Sequence, residues 1–130
     1  MIRKASVQDA AEICALFTRN FGCGNYYDSR FFNDTAMSEM LADDKTFTGI
    51  VSTDGKMLTG FSGLHIQTDQ DFSLIYLANF LVDKSCRKQG IGKQLEEESL
   101  RLCWILNRNV TVYALIHENK SAHTIRPKLD

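Results

Sequence analysis

The sequence has almost no excess of charge of either sign. Its 15 Lys and Arg residues stand against 16 Asp and Glu residues, which gives a formal net charge of -1 at pH 7. Proteins that hold nucleic acids or anionic membranes against their surface need a clear positive excess. The balance of charge therefore argues against both classes of partner, and any cationic site in this chain has to be local.

Long hydrophobic segments are also absent from the sequence. No apolar run approaches the roughly 18 residues of a membrane-spanning helix, and the residues that follow Met1 form a mixed polar pattern without an apolar signal segment. These absences predict a cytoplasmic location. The length of 130 residues and the 44% content of hydrophobic residues fit one globular domain that spans residues 1–130.

The cysteines lack the spacing of a metal site or of a disulfide framework. There is no Cys-x-x-Cys pair and no histidine at ligand spacing from any of Cys14, Cys23, Cys86 and Cys103. The sequence therefore predicts reduced cysteines and no bound metal. Cys14 and Cys103 fall on apolar helical faces and are predicted to be small core residues.

Hydrophobic periodicity and turn signals predict a mixture of helices and strands. Ser6 and Asp9 form the capping pattern that opens the first helix, and the Asp-Gly pair at residues 54–55 joins two strands into a hairpin. The predicted elements, in chain order, are a strand at Ile2–Ala5, a helix after Ser6, an aromatic segment that becomes helical over Tyr26–Leu41, strands at Thr46–Ser52, Met57–Gln67 and Phe72–Val82, a long helix at Gly90–Asn107, a strand at Val110–Ile116, and a polar tail at His117–Asp130 able to start a helix at Asn119.

An anion site is predicted where the last strand before the long helix runs through a short basic loop into that helix. The first backbone N–H groups of a helix have no partner within it, and the helix dipole favours negative charge at that end. Gly90 and Gly92 let a bulky anion approach this backbone, because neither residue has a side chain. Three basic side chains add positive charge around the same point, from Arg87, Lys88 and Lys93.

The spacing of the residues in this loop does not match two other known phosphate-binding patterns. A Walker loop needs Ser or Thr after Gly-Lys, whereas Gln94 follows Lys93 here. Arg87 also stands in the place of the first Walker glycine. A dinucleotide-binding fingerprint needs a third glycine where Leu95 stands. The loop could also be only the structural start of a helix. In that case the clustering of two glycines and three basic residues would be a coincidence.

The chain resembles the GNAT superfamily of acyl-CoA-dependent N-acetyltransferases over nearly its whole length. The strongest part of the resemblance is the loop Arg87-Lys88-Gln89-Gly90-Ile91-Gly92, which matches the family's Gln/Arg-x-x-Gly-x-Gly/Ala pattern. The strand end before it, Phe80-Leu81-Val82-Asp83, matches as well. The resemblance implies an α/β (α+β) fold, with a mixed, mostly antiparallel central sheet flanked by helices.

The resemblance also implies how the anion site is used. The anion would be the pyrophosphate of acetyl-CoA, the acyl donor, and the pantetheine arm would hydrogen-bond along the strand before the loop. A backbone N–H of that strand would polarise the thioester carbonyl. The residues implied to bind the cofactor are Phe80, Leu81, Val82, Arg87, Lys88, Gln89, Gly90, Ile91, Gly92, Lys93 and Asn119.

Two positions depart from the family pattern where catalytic groups are expected. Acetyl transfer needs a base that takes a proton from the amine, and many relatives carry a carboxylate where this chain has Ala78 and Asn79. Asn79 cannot act as a base but can orient a water or the substrate, with Tyr76 or His65 assisting. A hydrogen-bonded structural role is favoured for His65, so Asn79 and Tyr76 are the catalytic candidates. The family's tyrosine acid would fall at Arg126.

The family usually continues through two more strands beyond the point where this chain stops. The resemblance therefore implies that the last strands are missing or supplied by a partner, and that a homodimer covers the exposed sheet edge. Two functions stay open. One is transfer of an acetyl group from acetyl-CoA to a primary amine of a small molecule or peptide. The other is a catalytically weak acyl-CoA-binding sensor or interaction module.

Overall fold

A computed structural model describes residues 1–21, 33–68, 73–106, 111–114 and 123–125. The described helices are α1 (Ala10–Phe21), α2 (Asp34–Ala42) and α3 (Ile91–Leu106), with short 3-10 turns at Val7–Asp9 and Lys84–Cys86. The described strands are β1 (Ile2–Lys4), β2 (Phe47–Thr53), β3 (Leu58–Thr68), β4 (Ser73–Val82), β5 (Thr111–Ala114) and β6 (His123–Ile125). Within these residues no helix is both long enough and apolar enough to cross a bilayer.

The strands form one sheet in the order β1-β2-β3-β4-β5-β6. Four of the neighbouring pairs are antiparallel. The exception is β4 with β5, which run parallel; α3 lies between them in the chain, as a parallel connection requires. The predicted α/β fold with a mixed, mostly antiparallel sheet is therefore confirmed.

Strand β6 lies in the stretch for which the sequence predicts a polar tail. It pairs antiparallel with β5, with Val112 opposite Ile125 and Ala114 opposite His123, so the chain itself supplies a strand beyond β5. Three residues are too few to show the alternation by which a strand is recognised in a sequence. The predicted helix start at Asn119 lies outside the described residues.

Hydrophobic side chains fill both faces of the sheet. Ile50 and Val51 point to opposite faces, because side chains alternate along a strand. The cluster under α1 and α2 includes Ile13, Leu16, Phe17, Met37, Leu41, Phe47, Val51, Phe61 and Leu81. The cluster under α3 contains Ile50, Leu64, Ile75, Leu77, Leu95 and Cys103.

Two of the cysteines are core residues, as the sequence predicts. Cys14 lies in the cluster under α1 and α2, and Cys103 lies in the cluster under α3. Burial raises the pKa of the Cys14 thiol to about 11 and that of the Cys103 thiol to about 12. Both thiols are therefore protonated at neutral pH and pack as small apolar groups.

Helix α3 lies so close to the sheet that one position of β3 has no room for a side chain. A Cβ atom at Gly60 would lie 2.7 Å from Leu95 Cδ1 and 3.1 Å from the carbonyl oxygen of Leu81. The leucine side chain can shift, but the carbonyl belongs to the backbone of the adjacent strand. Glycine at this position therefore allows the close packing of helix and sheet.

Gly60→Ala is expected to lower the free energy of unfolding by about 1–3 kcal/mol, the usual cost of overpacking a core. The matched control is Gly92→Ala at the start of α3. A Cβ atom there would lie at an ordinary contact distance, 3.5 Å, from Val82 Cγ2. Alanine also favours a helix, so no loss of stability is expected. Urea denaturation measures the difference, and equal stability of the two variants would contradict the close packing at Gly60.

Candidate active site

A β-bulge interrupts the pairing of β3 with β4 next to the predicted anion loop. Gly63 is opposite Ala78 and Phe61 is opposite Leu81, so β4 has one residue more than β3 across this interval. Asn79, within the bulge, has a φ of 59°, a left-handed conformation that asparagine tolerates better than most residues. Because a bulge bends and twists its strand, the course of β4 changes at this point.

The pairing of β4 with β5 stops just before the bulge. The last pair in register is Leu77 with Ala114, and in the described part of the chain no strand lies beside the rest of β4 on that side. Among the described residues, the backbone groups that point to this edge therefore have no partner strand, and an extended ligand could take that place. An extended ligand can pair with such an edge as an added strand does.

The alternation of the backbone shows which groups point to the open edge. The N–H of Asp83 donates to the carbonyl of Thr59 at 2.8 Å, toward β3, so the backbone groups of Val82 and Phe80 point the other way. The position of Arg87 agrees, because its Nε donates to the Val82 carbonyl at 3.2 Å. The side chain of Phe80 is 40% exposed, which adds an apolar surface to this edge.

The loop between β4 and α3 presents unpaired N–H groups at its end. Lys88 and Gly90 have positive φ angles of 66° and 82°, a conformation that helps successive N–H groups to converge on an anion. The first hydrogen bond of α3 runs from the N–H of Gln94 to the carbonyl of Gly90 at 3.0 Å. The N–H groups of residues 91–93 therefore have no acceptor within the helix and can bind an anion.

A cleft of about 370 Å³ joins this loop to the open edge of β4. The missing side chain of Gly92 leaves room on the helix side, since a Cβ atom there would lie 3.5 Å from Val82 Cγ2 and 3.8 Å from the ring of Phe80. The cleft is lined by residues that the sequence predicts as cofactor-binding, namely Phe80, Leu81, Val82, Arg87, Lys88, Gly90, Ile91 and Gly92.

The remaining predicted binding residues are not among those that line the cleft. Gln89 lies in the loop and is exposed. The ammonium group of Lys93 lies 4.0 Å from the Glu97 carboxylate, with 81% of the lysine side chain exposed. Asn119 lies outside the described residues. The positive charge at the cleft therefore comes from Arg87 and Lys88.

A buried carboxylate fixes the start of the loop. Asp83 is 3% exposed and accepts hydrogen bonds from Arg19 Nε at 3.0 Å and Asn20 Nδ2 at 2.8 Å. Its other oxygen accepts the Ser85 hydroxyl. Burial raises the pKa of Asp83, but these hydrogen bonds outweigh burial and hold the pKa at about 2. Asn20 Oδ1 also accepts the N–H of Lys84 at 2.9 Å, so the end of α1 holds the first turn of the loop.

Both predicted catalytic candidates lie on β4, at or near the bulge. Oδ1 of Asn79 lies 3.0 Å from Nε2 of His65 on β3, so the hydrogen bond predicted for His65 is present. Tyr76 is directly opposite His65 in the register of β3 and β4. No group of three His, Cys, Asp or Glu side chains that could hold a metal occurs in the described ranges.

Acetyltransferases are among the solved structures that share this fold. The aminoglycoside acetyltransferase meta-AAC0020, from an uncultured soil metagenomic sample, matches with a TM-score of 0.75 at 17% identity, over 91% of this chain and 78% of its own. A possible acetyltransferase from Clostridium difficile 630 matches with a TM-score of 0.71 at 18% identity, over 92% and 81%. PaiA N-acetyltransferase from Thermoplasma acidophilum, in complex with coenzyme A, matches with a TM-score of 0.71 at 14% identity, over 93% and 81%. The chain therefore has an acetyltransferase fold.

The sequence defines the family within this class. The model of the acetyltransferase (GNAT) family matches residues 10–124, a range that contains the bulge, the loop and all three described helices. The chain belongs to the acetyltransferase (GNAT) family, as the sequence predicts. No curated protein is significantly similar to it.

Proposed function

We propose that the protein transfers an acetyl group from acetyl-CoA to a primary amine of a small molecule or peptide. The observation that carries this proposal is the cleft, in which the open edge of β4 meets the N–H groups at the start of α3. A CoA thioester has the matching chemistry, because its arm of amide groups leads to a pyrophosphate. Membership of the GNAT family supports an acyl-CoA donor, and one solved relative contains coenzyme A.

The pyrophosphate is held at the loop in this proposal. The N–H groups of residues 91–93 donate to phosphate oxygens, and Arg87 and Lys88 supply opposite charge. The pantetheine arm lies along Phe80–Val82 and pairs with the outward backbone groups of that segment. Pairing with the Val82 carbonyl requires the Arg87 side chain to leave it, which frees the guanidinium to face the phosphates.

The reaction follows from the polarity of a thioester. The neutral amine attacks the thioester carbon, a C–N bond forms, and the C–S bond breaks with its electron pair going to sulfur. Negative charge develops on the carbonyl oxygen, and an outward N–H of β4 beside the bulge donates to it; one such donor contributes about 3 kcal/mol in other enzymes. The proton that the amine loses is balanced by the proton that CoA gains on sulfur.

The proposal includes the setting in which the enzyme works. Residues 1–130 act as one domain, in the cytoplasm and as a homodimer. The homodimer is carried over from the family resemblance, and size-exclusion chromatography with light scattering tests it. Aminoglycoside acetyltransferases occur among the structural relatives, so amino sugars are a reasonable first class of acceptor to test.

The test is release of CoA thiol when the protein is incubated with acetyl-CoA and a panel of amines. The panel contains aminoglycosides, polyamines and peptides with a free N-terminus. We expect thiol release with at least one amine, in equal amount to the acetylated product measured by mass spectrometry. Calorimetric binding of CoA without acetylation of any amine would contradict the proposal and favour the acyl-CoA-binding module instead.

A further inference from the structure

One titratable side chain beside the bulge has no part in the donor site described above. His65 lies directly opposite Tyr76, its Nε2 lies 3.0 Å from Oδ1 of Asn79, and the residue is half-buried. We propose that His65 accepts the proton that the acceptor amine loses, and that Asn79 holds the imidazole in the tautomer this step requires. The inference rests on the proposed function and adds to it the base that the sequence does not supply on β4.

The imidazole is held from two sides. The ring of Phe47 on β2 lies edge-on to it, with 4.8 Å between the ring centroids, and the Asn79 amide bonds Nε2. Phe47 is opposite His65 in the register and belongs to the cluster under α1 and α2. Residues opposite each other in a sheet share a face, so His65 lies on that face. An amine that approaches the bulge from the side away from α3 therefore meets the imidazole.

Asn79 decides which ring nitrogen carries hydrogen. Its Oδ1 only accepts hydrogen bonds, so the Nε2 that faces it carries the hydrogen of the neutral ring. The lone pair then lies on Nδ1, which is the ring nitrogen able to accept a proton. The amide oxygen continues to accept from Nε2 in the imidazolium that forms. Of the residues that the structure describes, Asn79 alone hydrogen-bonds this ring.

Other candidates for the base are already engaged. The Asp83 carboxylate accepts from three side chains, and its pKa of about 2 makes it a weak base. Oε2 of Glu12 accepts the backbone N–H of Leu58 at 2.8 Å. The amide of Asn79 has no basic lone pair. Imidazole is the side chain that most often moves protons near neutral pH, which favours His65.

The proton step is balanced. As the amine nitrogen bonds to the thioester carbon, one N–H proton passes to Nδ1 of His65, directly or through one water. The C–S bond breaks with its electron pair on sulfur. The imidazolium then gives the proton to the CoA thiolate, which leaves the imidazole neutral for the next turnover. General bases of this kind contribute about 10²–10⁴-fold to the rate.

Kinetics of His65→Gln test this role in the full-length protein, with acetyl-CoA and an amine from the panel. Glutamine keeps an N–H that can reach Asn79 but has no basic nitrogen. We expect kcat to fall by at least about 100-fold, while the Kd for CoA measured by calorimetry stays the same. Added imidazole should restore part of the kcat of His65→Ala. An undiminished kcat in His65→Gln would overturn the role of His65 and leave the proposed function standing.

The tautomer can be measured without any change at His65. The chain contains three histidines, and replacing His117 and His123 with Gln leaves one set of imidazole signals in a nitrogen-15 NMR spectrum. We expect hydrogen on Nε2 in this protein and a mixture of tautomers once Asn79→Ala is added. Hydrogen on Nδ1 before that addition would overturn the proposal. If the unchanged protein binds CoA and acetylates no amine, the proposed function fails, and the role of His65 fails with it.

Discussion

CoA binding is expected to be lost when Gly90 is replaced with Glu. Gly90 has a φ of 82°, and in the described part of the chain no atom beyond its two chain neighbours lies within 4 Å of where its Cβ would be. A side chain therefore fits in space, at the cost of a left-handed backbone. Its carboxylate would lie at the start of α3, where it competes for the unpaired N–H groups and repels a pyrophosphate. We expect the affinity for CoA to fall by at least about 100-fold.

Gly55 provides the matched control for this variant. It has a φ of 92°, and among the described residues beyond its chain neighbours no atom lies within 4 Å of a Cβ atom there. It lies between β2 and β3, outside the cleft. Glu at either position costs about 1–2 kcal/mol of backbone strain. Both variants should therefore unfold at similar urea concentrations, while calorimetry shows loss of CoA binding for Gly90→Glu alone. Equal CoA affinities in the two variants would contradict the placement of the anion at the loop.

Asp83→Asn is expected to destabilise the fold by about 2–3 kcal/mol at pH 7, as linkage predicts for a carboxyl group with this difference in pKa. The pKa of Asp83 is about 2 in the folded protein, against about 3.9 for an ordinary aspartate. The variant removes the negative charge that Arg19 and Asn20 hold at the end of α1. Urea denaturation at pH 7 measures the loss.

The same carboxylate determines part of the pH dependence of stability. A group whose pKa is lower in the folded state stabilises the fold above its unfolded pKa, and this contribution disappears as the pH falls through the folded value. Between about pH 4 and pH 2, the free energy of unfolding should therefore decrease more in the unchanged protein than in Asp83→Asn.

Asp54→Asn is the control for the pH series. The pKa of Asp54 is also lowered, by hydrogen bonds from the backbone of Met57 and Lys56. This residue lies in the exposed hairpin turn, however, where solvent screens the charge. We therefore expect Asp54→Asn to change the pH dependence of the free energy of unfolding much less than Asp83→Asn does. If the free energy of unfolding of the unchanged protein and that of Asp83→Asn changed with pH in the same way, the role given to Asp83 would be contradicted.

Features built from neighbouring residues could be predicted from the sequence. The Asp9 carboxylate accepts the N–H of Ser6 at 2.7 Å, as the capping pattern predicts. The Asp-Gly pair forms the turn between β2 and β3, with Gly55 in the left-handed conformation. The loop and the helix start at Gly90 are local in the same sense, because their conformation depends on a few consecutive residues. This explains why the loop part of the cleft could be predicted from its own residues, whereas the strand part, Phe80–Val82, is implied by the family resemblance.

Features that join distant residues could not be predicted in this way. The partners of Asp83 on α1 lie 64 and 63 residues earlier in the chain. The bond between His65 and Asn79 depends on the register of two strands, and the bulge exists only because β3 and β4 differ by one residue between matched pairs. Register is set by the packing of both faces of a sheet, which the sequence of one strand does not contain.

The bulge in β4 has a consequence for the hydrophobic core. Leu77 and Leu81 are four residues apart, a separation that would put both on one face of a regular strand. They lie instead in different clusters, Leu77 under α3 and Leu81 under α1 and α2. The extra residue shifts the alternation by one position, so that Leu77 and Leu81 lie on the same faces as their partners on β3, Leu64 and Phe61. Deleting Asn79 would leave Leu77 and Leu81 three residues apart, a separation that also puts them on opposite faces of a regular strand, so the packing of the core does not require the irregularity beside the candidate active site.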